Sequence, residues 1–120
     1  MAMMLQAVRD AALALPETTE EPHHHFGSFR VRGTIFVTVP PDQEHVNLFL
    51  SDDHREQALA LYPSFTEKLM WGGKVVGLKV ALPDAEPSAV LAMISQSYQH
   101  RAAKRPAGPR RPASASEPTP

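Results

Sequence analysis

Apolar and polar positions alternate along this chain with a period that changes several times, and each change marks an element. Met4, Leu5, Val8, Ala11, Ala12 and Leu15 recur at helical spacing until Pro16, which predicts a first helix over about residues 2–15. The period then falls to two. Phe29 and Val31 alternate with Arg30 and Arg32, Ile35, Val37 and Val39 with Thr34, Phe36 and Thr38, and Val46, Leu48 and Leu50 with Asn47, Phe49 and Ser51. These are three short strands. Arg32-Gly33-Thr34 predicts a tight first hairpin, and Pro40-Pro41-Asp42-Gln43-Glu44 a looser second one.

Ser51, Asp52 and Asp53 then supply a capping oxygen and negative charge for a second helix. Its stripe is the Arg55 stem, Ala58, Leu59 and Tyr62, and Pro63 ends it. A further strand is indicated through Phe65–Met70, and a clearer one through Val76, Leu78, Val80 and Leu82. Asp84 is the expected cap of a third helix, with Pro87 in its first turn and Val90, Leu91, Ile94 and Tyr98 on one apolar face. Short connections between neighbouring strands imply an antiparallel sheet with helices on one face. The expected class is therefore α+β, two-layered, with the order α-β(3)-α-β(1-2)-α. The expected core is Val31, Ile35, Val37, Leu48, Val76, Leu78 and Val80.

Composition changes this picture at one place. The 120 residues carry a net charge of −1, but residues 101–120 hold Arg101, Lys104, Arg105, Arg110 and Arg111 against Glu117 alone, with five of the twelve prolines. Their apolar residues are alanines, too small to build a core, so residues 1–100 are expected to form a single domain and 101–120 a disordered basic tail. The domain itself is acidic, with 7 cations and 12 carboxylates. The absence of cysteine excludes disulfides, thiolate metal sites and a cysteine nucleophile. No apolar run is long enough to span a bilayer and no secretory signal is seen, so a cytoplasmic location is expected.

Four segments resemble a known family, the MmcQ/YjbR family of small bacterial proteins. They are Ala14-Leu15-Pro16-Glu17, Phe29-Arg30-Val31-Arg32-Gly33-Thr34-Ile35-Phe36, Met70-Trp71-Gly72-Gly73-Lys74 and Ser97-Tyr98. The resemblance implies a two-layer fold of α-β-β-β-α-β-β-α order, similar to CyaY and to type III secretion chaperones. It also implies the name such proteins usually carry, DNA-binding. A fold does not carry a function with it, so particular residues must.

No Gly-x-Ser-x-Gly elbow or His-Glu-x-x-His pair is present, and the carboxylates at Asp42, Glu44, Asp52 and Asp53 suit turns and caps, so no enzyme is expected. The expected role is a binding module for nucleic acid. Arg30, Arg32, Lys74, Lys79 and the tail cations would meet phosphates, and Phe36 and Trp71 would stack on bases. This arrangement needs a three-residue first hairpin loop, which turns Arg30 and Phe36 outward together. A two-residue loop would bury Phe36 instead. The alternative function is a protein-interaction or chaperone-like module, acting as a homodimer or with another chain. His23-His24-His25 is a candidate metal cluster, but two neighbouring imidazoles do not close a site, and a solvated loop accounts for the run. No metal, small-molecule cofactor or membrane partner is expected.

Overall fold

The computed structural model describes residues 3–103. Helix α1 (Leu5–Leu13) is followed by four strands, β1 (Thr18–His23), β2 (Phe26–Val31), β3 (Thr34–Val39) and β4 (His45–Leu48). Helix α2 (Asp52–Leu61), strands β5 (Thr66–Trp71) and β6 (Lys74–Ala81), a 3-10 turn (Leu82–Asp84) and helix α3 (Pro87–Ala102) complete the order. The six strands form one antiparallel sheet in the order β1-β2-β3-β4-β6-β5. The α+β class is as expected, and the sheet has one strand more than the sequence pattern predicts. Strand β1 carries no apolar alternation because it is an edge strand, exposed along most of its length, where Pro22 is tolerated.

The helices cover one face of the sheet, and hydroxyl groups fix them there. Thr18 Oγ1 on β1 donates to the carbonyls of Ala12 and Leu15 at 2.9 and 2.8 Å. Thr66 Oγ1 on β5 donates to the Tyr62 carbonyl at 2.7 Å. Between these anchors Phe29, Val31, Val37, Leu48, Leu78 and Val80 are buried, together with Val8, Val90 and Ile94 from the helices. Ser51 caps α2 as expected, its hydroxyl accepting from His54 N–H at 3.2 Å. Asp84 does not cap α3; it lies in the 3-10 turn, and Glu86 takes the cap position with no side-chain bond. The buried face of α3 is Ala89, Val90, Met93, Ile94 and Ser97, so Leu91 points outward.

The first hairpin decides which side chains share a face. Val31 pairs with Thr34, leaving a two-residue turn in which Arg32 and Gly33 both take positive φ, 49° and 86°. This is the mirror-image turn whose twist matches that of the strands, with an arginine where asparagine is usual. Phe29 pairs with Val37 but Arg30 with Ile35, so Phe36 is an extra residue in β3. Such a bulge brings two successive side chains toward the same side. The two-residue turn already places Phe36 on the core side, and the bulge returns Val37 there beside it; Phe36 is buried under α3, its ring edge-on to Tyr98 at 5.6 Å. Ile35 moves to the open face beside Arg30 and is only partly buried, as is Val76 at the second irregularity, in the β5–β6 hairpin.

The β3–β4 ladder ends at Val37 and Leu48, and side chains of α3 take up the backbone groups beyond it. Ser97 Oγ donates to the Phe36 carbonyl and accepts from Phe49 N–H at 2.9 Å, one buried hydroxyl bridging two strands. One residue turn further, Arg101 Nε donates to the Ile35 carbonyl at 2.8 Å.

In the β3–β4 loop the Asp42 carboxylate accepts from the N–H groups of Glu44 (2.8 Å) and His45 (3.2 Å) and meets His45 Nδ1 at 2.9 Å. These contacts, the Glu44 bond foremost, hold its pKa below the ordinary value. A carboxyl with a depressed folded pKa contributes stability above its unfolded pKa, about 3.9, and loses it as pH falls through the folded value. Asp42→Ala is expected to melt slightly below the parent at pH 7, with the gap closing in melts recorded below about pH 4.

Candidate binding face

The face of the sheet opposite the helices carries Glu21, Ser28, Arg30, Thr38, Asn47, Glu67 and Lys79, as the strand register requires. Asn47 Nδ2 donates to Thr38 Oγ1 at 3.1 Å near its centre. Two hairpin tips reach this face, the β1–β2 turn and the β5–β6 turn. With Thr38 between them they enclose a cavity of about 270 Å³ lined by His23, His24, Phe26, Thr38 and Trp71. Sheet twist explains the approach, since it lifts diagonally opposite corners toward the same side.

Trp71 is 54% exposed and backs onto Phe49 with ring centroids 6.0 Å apart. Phe49 follows β4 onto the open face and is buried there, lying over Gly77, where any Cβ would stand 2.5 Å from the Leu48 carbonyl oxygen. The Arg101 guanidinium lies 5.5 Å from the same Phe49 ring centroid, within cation–π range. Partial burial holds the pKa of Arg101 below its ordinary value. The guanidinium stays charged, because arginine begins so far above neutrality.

Among the described residues, three of the five cations expected to meet phosphate are already paired with carboxylates. Arg30 lies 3.9 Å from the Glu21 carboxylate, with its Nε on Ser28 Oγ at 3.1 Å. Arg32 pairs with Glu17 and donates to the Ala102 carbonyl at 2.8 Å, so it ties the hairpin to the end of α3. Lys79 stands 3.7 Å from Glu67. Among the described residues, Lys74 and Arg101 are the expected phosphate contacts that make no ion pair with a carboxylate. Lys74 is exposed directly across from Trp71.

The expected grouping of Arg30, Arg32 and Phe36 is corrected by this geometry. Arg30 is on the open face, Arg32 is in the turn and Phe36 is in the core, because the loop has two residues; the bulge that follows returns Val37 to the core side beside it. Arg101 is likewise not a tail residue, since α3 extends to Ala102. Lys104, Arg105, Arg110 and Arg111, with the tail they belong to, lie outside the described residues.

The histidine run divides at its turn. His23 and His24 face the open-face cavity with rings 4.8 Å apart, whereas His25 lines a separate cavity of about 240 Å³ with Arg9 and Glu20. Sequence pattern missed Phe26 and the Thr38–Asn47 pair as parts of one site. The missing signal was β1, without which Phe26 has no partner strand and no assigned face.

The model of the YjbR family matches residues 13–100, most of the chain. The chain belongs to the YjbR family. Its fold resembles that in the crystal structure of Deinococcus radiodurans protein DR2400, which has a DUF419 domain. The two share 16% identity over 81% of this chain and 77% of that one, with a TM-score of 0.66. No curated protein matches the sequence. The four segments that carry the YjbR resemblance make contacts around the end of α3. Tyr98 OH donates to the Pro16 carbonyl at 2.9 Å, Glu17 holds Arg32, Ser97 bridges Phe36 and Phe49, and Phe49 supports Trp71. In these segments Met70 and Trp71 are the large apolar side chains left exposed, and Trp71 is the aromatic one. Among the described residues no helix is long and apolar enough to cross a membrane.

Proposed function

We propose that this chain is a non-enzymatic binding module that holds single-stranded nucleic acid on the open face of its sheet. The observation that carries this reading is the row Arg101, Phe49, Trp71: a cation without a carboxylate partner, a buried supporting ring and an exposed indole. Aromatic platforms beside cations suit unpaired bases, whose rings stack and whose phosphates lie close by. A duplex hides its base faces and suits this row poorly.

The pairing of Arg30, Arg32 and Lys79 with carboxylates bears on the salt dependence. With Lys74 and Arg101 as the phosphate contacts of the domain, log affinity should fall against log salt with a slope of about −1.4. If Lys104, Arg105, Arg110 and Arg111 all join, the slope steepens to about −4.

Fluorescence anisotropy of a labelled single strand, titrated with the full chain and with Trp71→Ala at two salt concentrations, tests the reading. Loss of one stacked base should weaken binding about 5- to 150-fold, with the melting temperature little changed. Equal affinity of the two proteins rejects Trp71 as the platform. Absence of binding at low salt rejects the function and favours a partner protein at the Met70–Trp71 corner, where both side chains are about half exposed.

A further inference from the structure

The open-face cavity has a shape and polarity that go beyond stacking on Trp71. Its volume, about 270 Å³, falls just below the range of roughly 300–1,000 Å³ common for drug-sized ligands, so it suits one flat ring system. Phe26 and Trp71 come from hairpins at opposite corners of the sheet, and Thr38 comes from β3 between them. The walls are largely aromatic and the floor is polar.

That floor has a defined hydrogen-bond sense. Thr38 Oγ1 accepts from Asn47 Nδ2 at 3.1 Å, which leaves its own O–H to donate. Asn47 cannot take that proton in this arrangement. Its Oδ1 is buried, and it is the side-chain atom that lacks a partner among the buried polar atoms of the described residues. Native structures hold few buried acceptors without a donor. Asn47 lies beside Thr38 and outside the lining, so what the floor presents to the ring-sized space is the Thr38 hydroxyl proton alone.

We infer that the cavity takes a single unstacked nucleobase between Phe26 and Trp71, with a ring-edge acceptor facing the Thr38 hydroxyl. Keto oxygens of pyrimidines have the required chemistry; a saturated or baseless sugar–phosphate chain does not. The neighbouring phosphates would run toward Lys74, across from Trp71, and toward Arg101 beyond Phe49. This inference rests on the proposed single-strand function and adds the part of the strand that enters the fold.

Trp71 is the only tryptophan, so its fluorescence reports the cavity directly. Full-length protein is titrated with single-stranded oligothymidylate and with an abasic deoxyribose-phosphate strand of equal length, following Trp71 emission and the anisotropy of the labelled strands. Oligothymidylate is expected to quench Trp71 and to bind at least 5-fold more tightly than the abasic strand, which should leave the emission unchanged. Thr38→Val, similar in shape but without the hydroxyl, should lower oligothymidylate affinity about 5-fold while leaving abasic binding as it was. Equal binding of both strands with unchanged Trp71 emission would overturn the base-insertion inference and leave nucleic-acid binding in place. No binding of either strand at low salt would overturn both.

Discussion

Phe36→Ala is expected to remove about 3–5 kcal/mol of stability, the usual cost of truncating a fully buried phenylalanine. The ring lies beneath α3, edge-on to Tyr98 and wholly removed from water. Substitution leaves a cavity lined by a rigid sheet on one side and a helix on the other, neither free to collapse into it. Against a typical total of about 5–15 kcal/mol, this is about a fifth or more of the stability of the domain. The midpoint of urea unfolding should fall accordingly, with the slope of the transition unchanged. The opposite placement of the ring gives the opposite result. An outward-facing Phe36 would cost under about 0.5 kcal/mol on truncation and would affect binding alone, so a single melt distinguishes a two-residue first turn from a three-residue one.

Ser97→Ala is expected to be nearly as damaging, although it deletes one oxygen atom. The hydroxyl serves the Phe36 carbonyl and the Phe49 N–H, two backbone groups beyond the end of the β3–β4 ladder. Both bonds lie in the buried interior. Each buried group left unpaired costs about 1–3 kcal/mol, so a loss of about 2–5 kcal/mol is expected. Hydrogen exchange at the Phe49 amide gives the specific readout. Its protection should fall in Ser97→Ala by more than that of the Leu48–Leu78 ladder, which the serine does not touch. Uniform loss across the sheet would instead assign Ser97 a packing role only. Because Ser97 and Phe36 share this contact, the double variant should cost less than the two single changes added together.

Much of the architecture was legible in the alternation of apolar residues, since β2, β3, β4 and β6 each bury one side against the helices. Two features escaped that signal for physical reasons. Strand β1 buries too little to need apolar alternation, so Thr18–His23 reads as polar connecting chain. The bulge at Phe36 breaks the period of two inside a strand, and Arg32-Gly33 lacks the Asn-Gly pairing that usually announces a two-residue turn. A turn one residue shorter than the binding arrangement needs was enough to place a candidate stacking ring in the core. Trp71 was legible as a candidate for the opposite reason, because its turn can be read from Gly72-Gly73 without knowing the register of any other strand. The pairing of cations with Glu17, Glu21 and Glu67 was invisible, because charge counts along a chain say nothing of which charges meet.

The wiring of the sheet also bears on how the chain is made. Strands β1 to β4 follow one another through turns alone, so a four-stranded ribbon is complete once Leu48 has been synthesised. Its apolar side, with Phe29, Val31, Phe36 and Val37, is covered by α3, which ends at Ala102. At translation rates of about 5–20 residues per second, that side waits roughly 3–10 s for its cover. During this interval the nascent ribbon presents both a bare greasy surface and an unfilled β4 edge, the seat reserved for β6. Yield in a cell should therefore depend on how quickly the ribosome traverses the second half of the message, and on holdase chaperones that shield the ribbon until α3 docks.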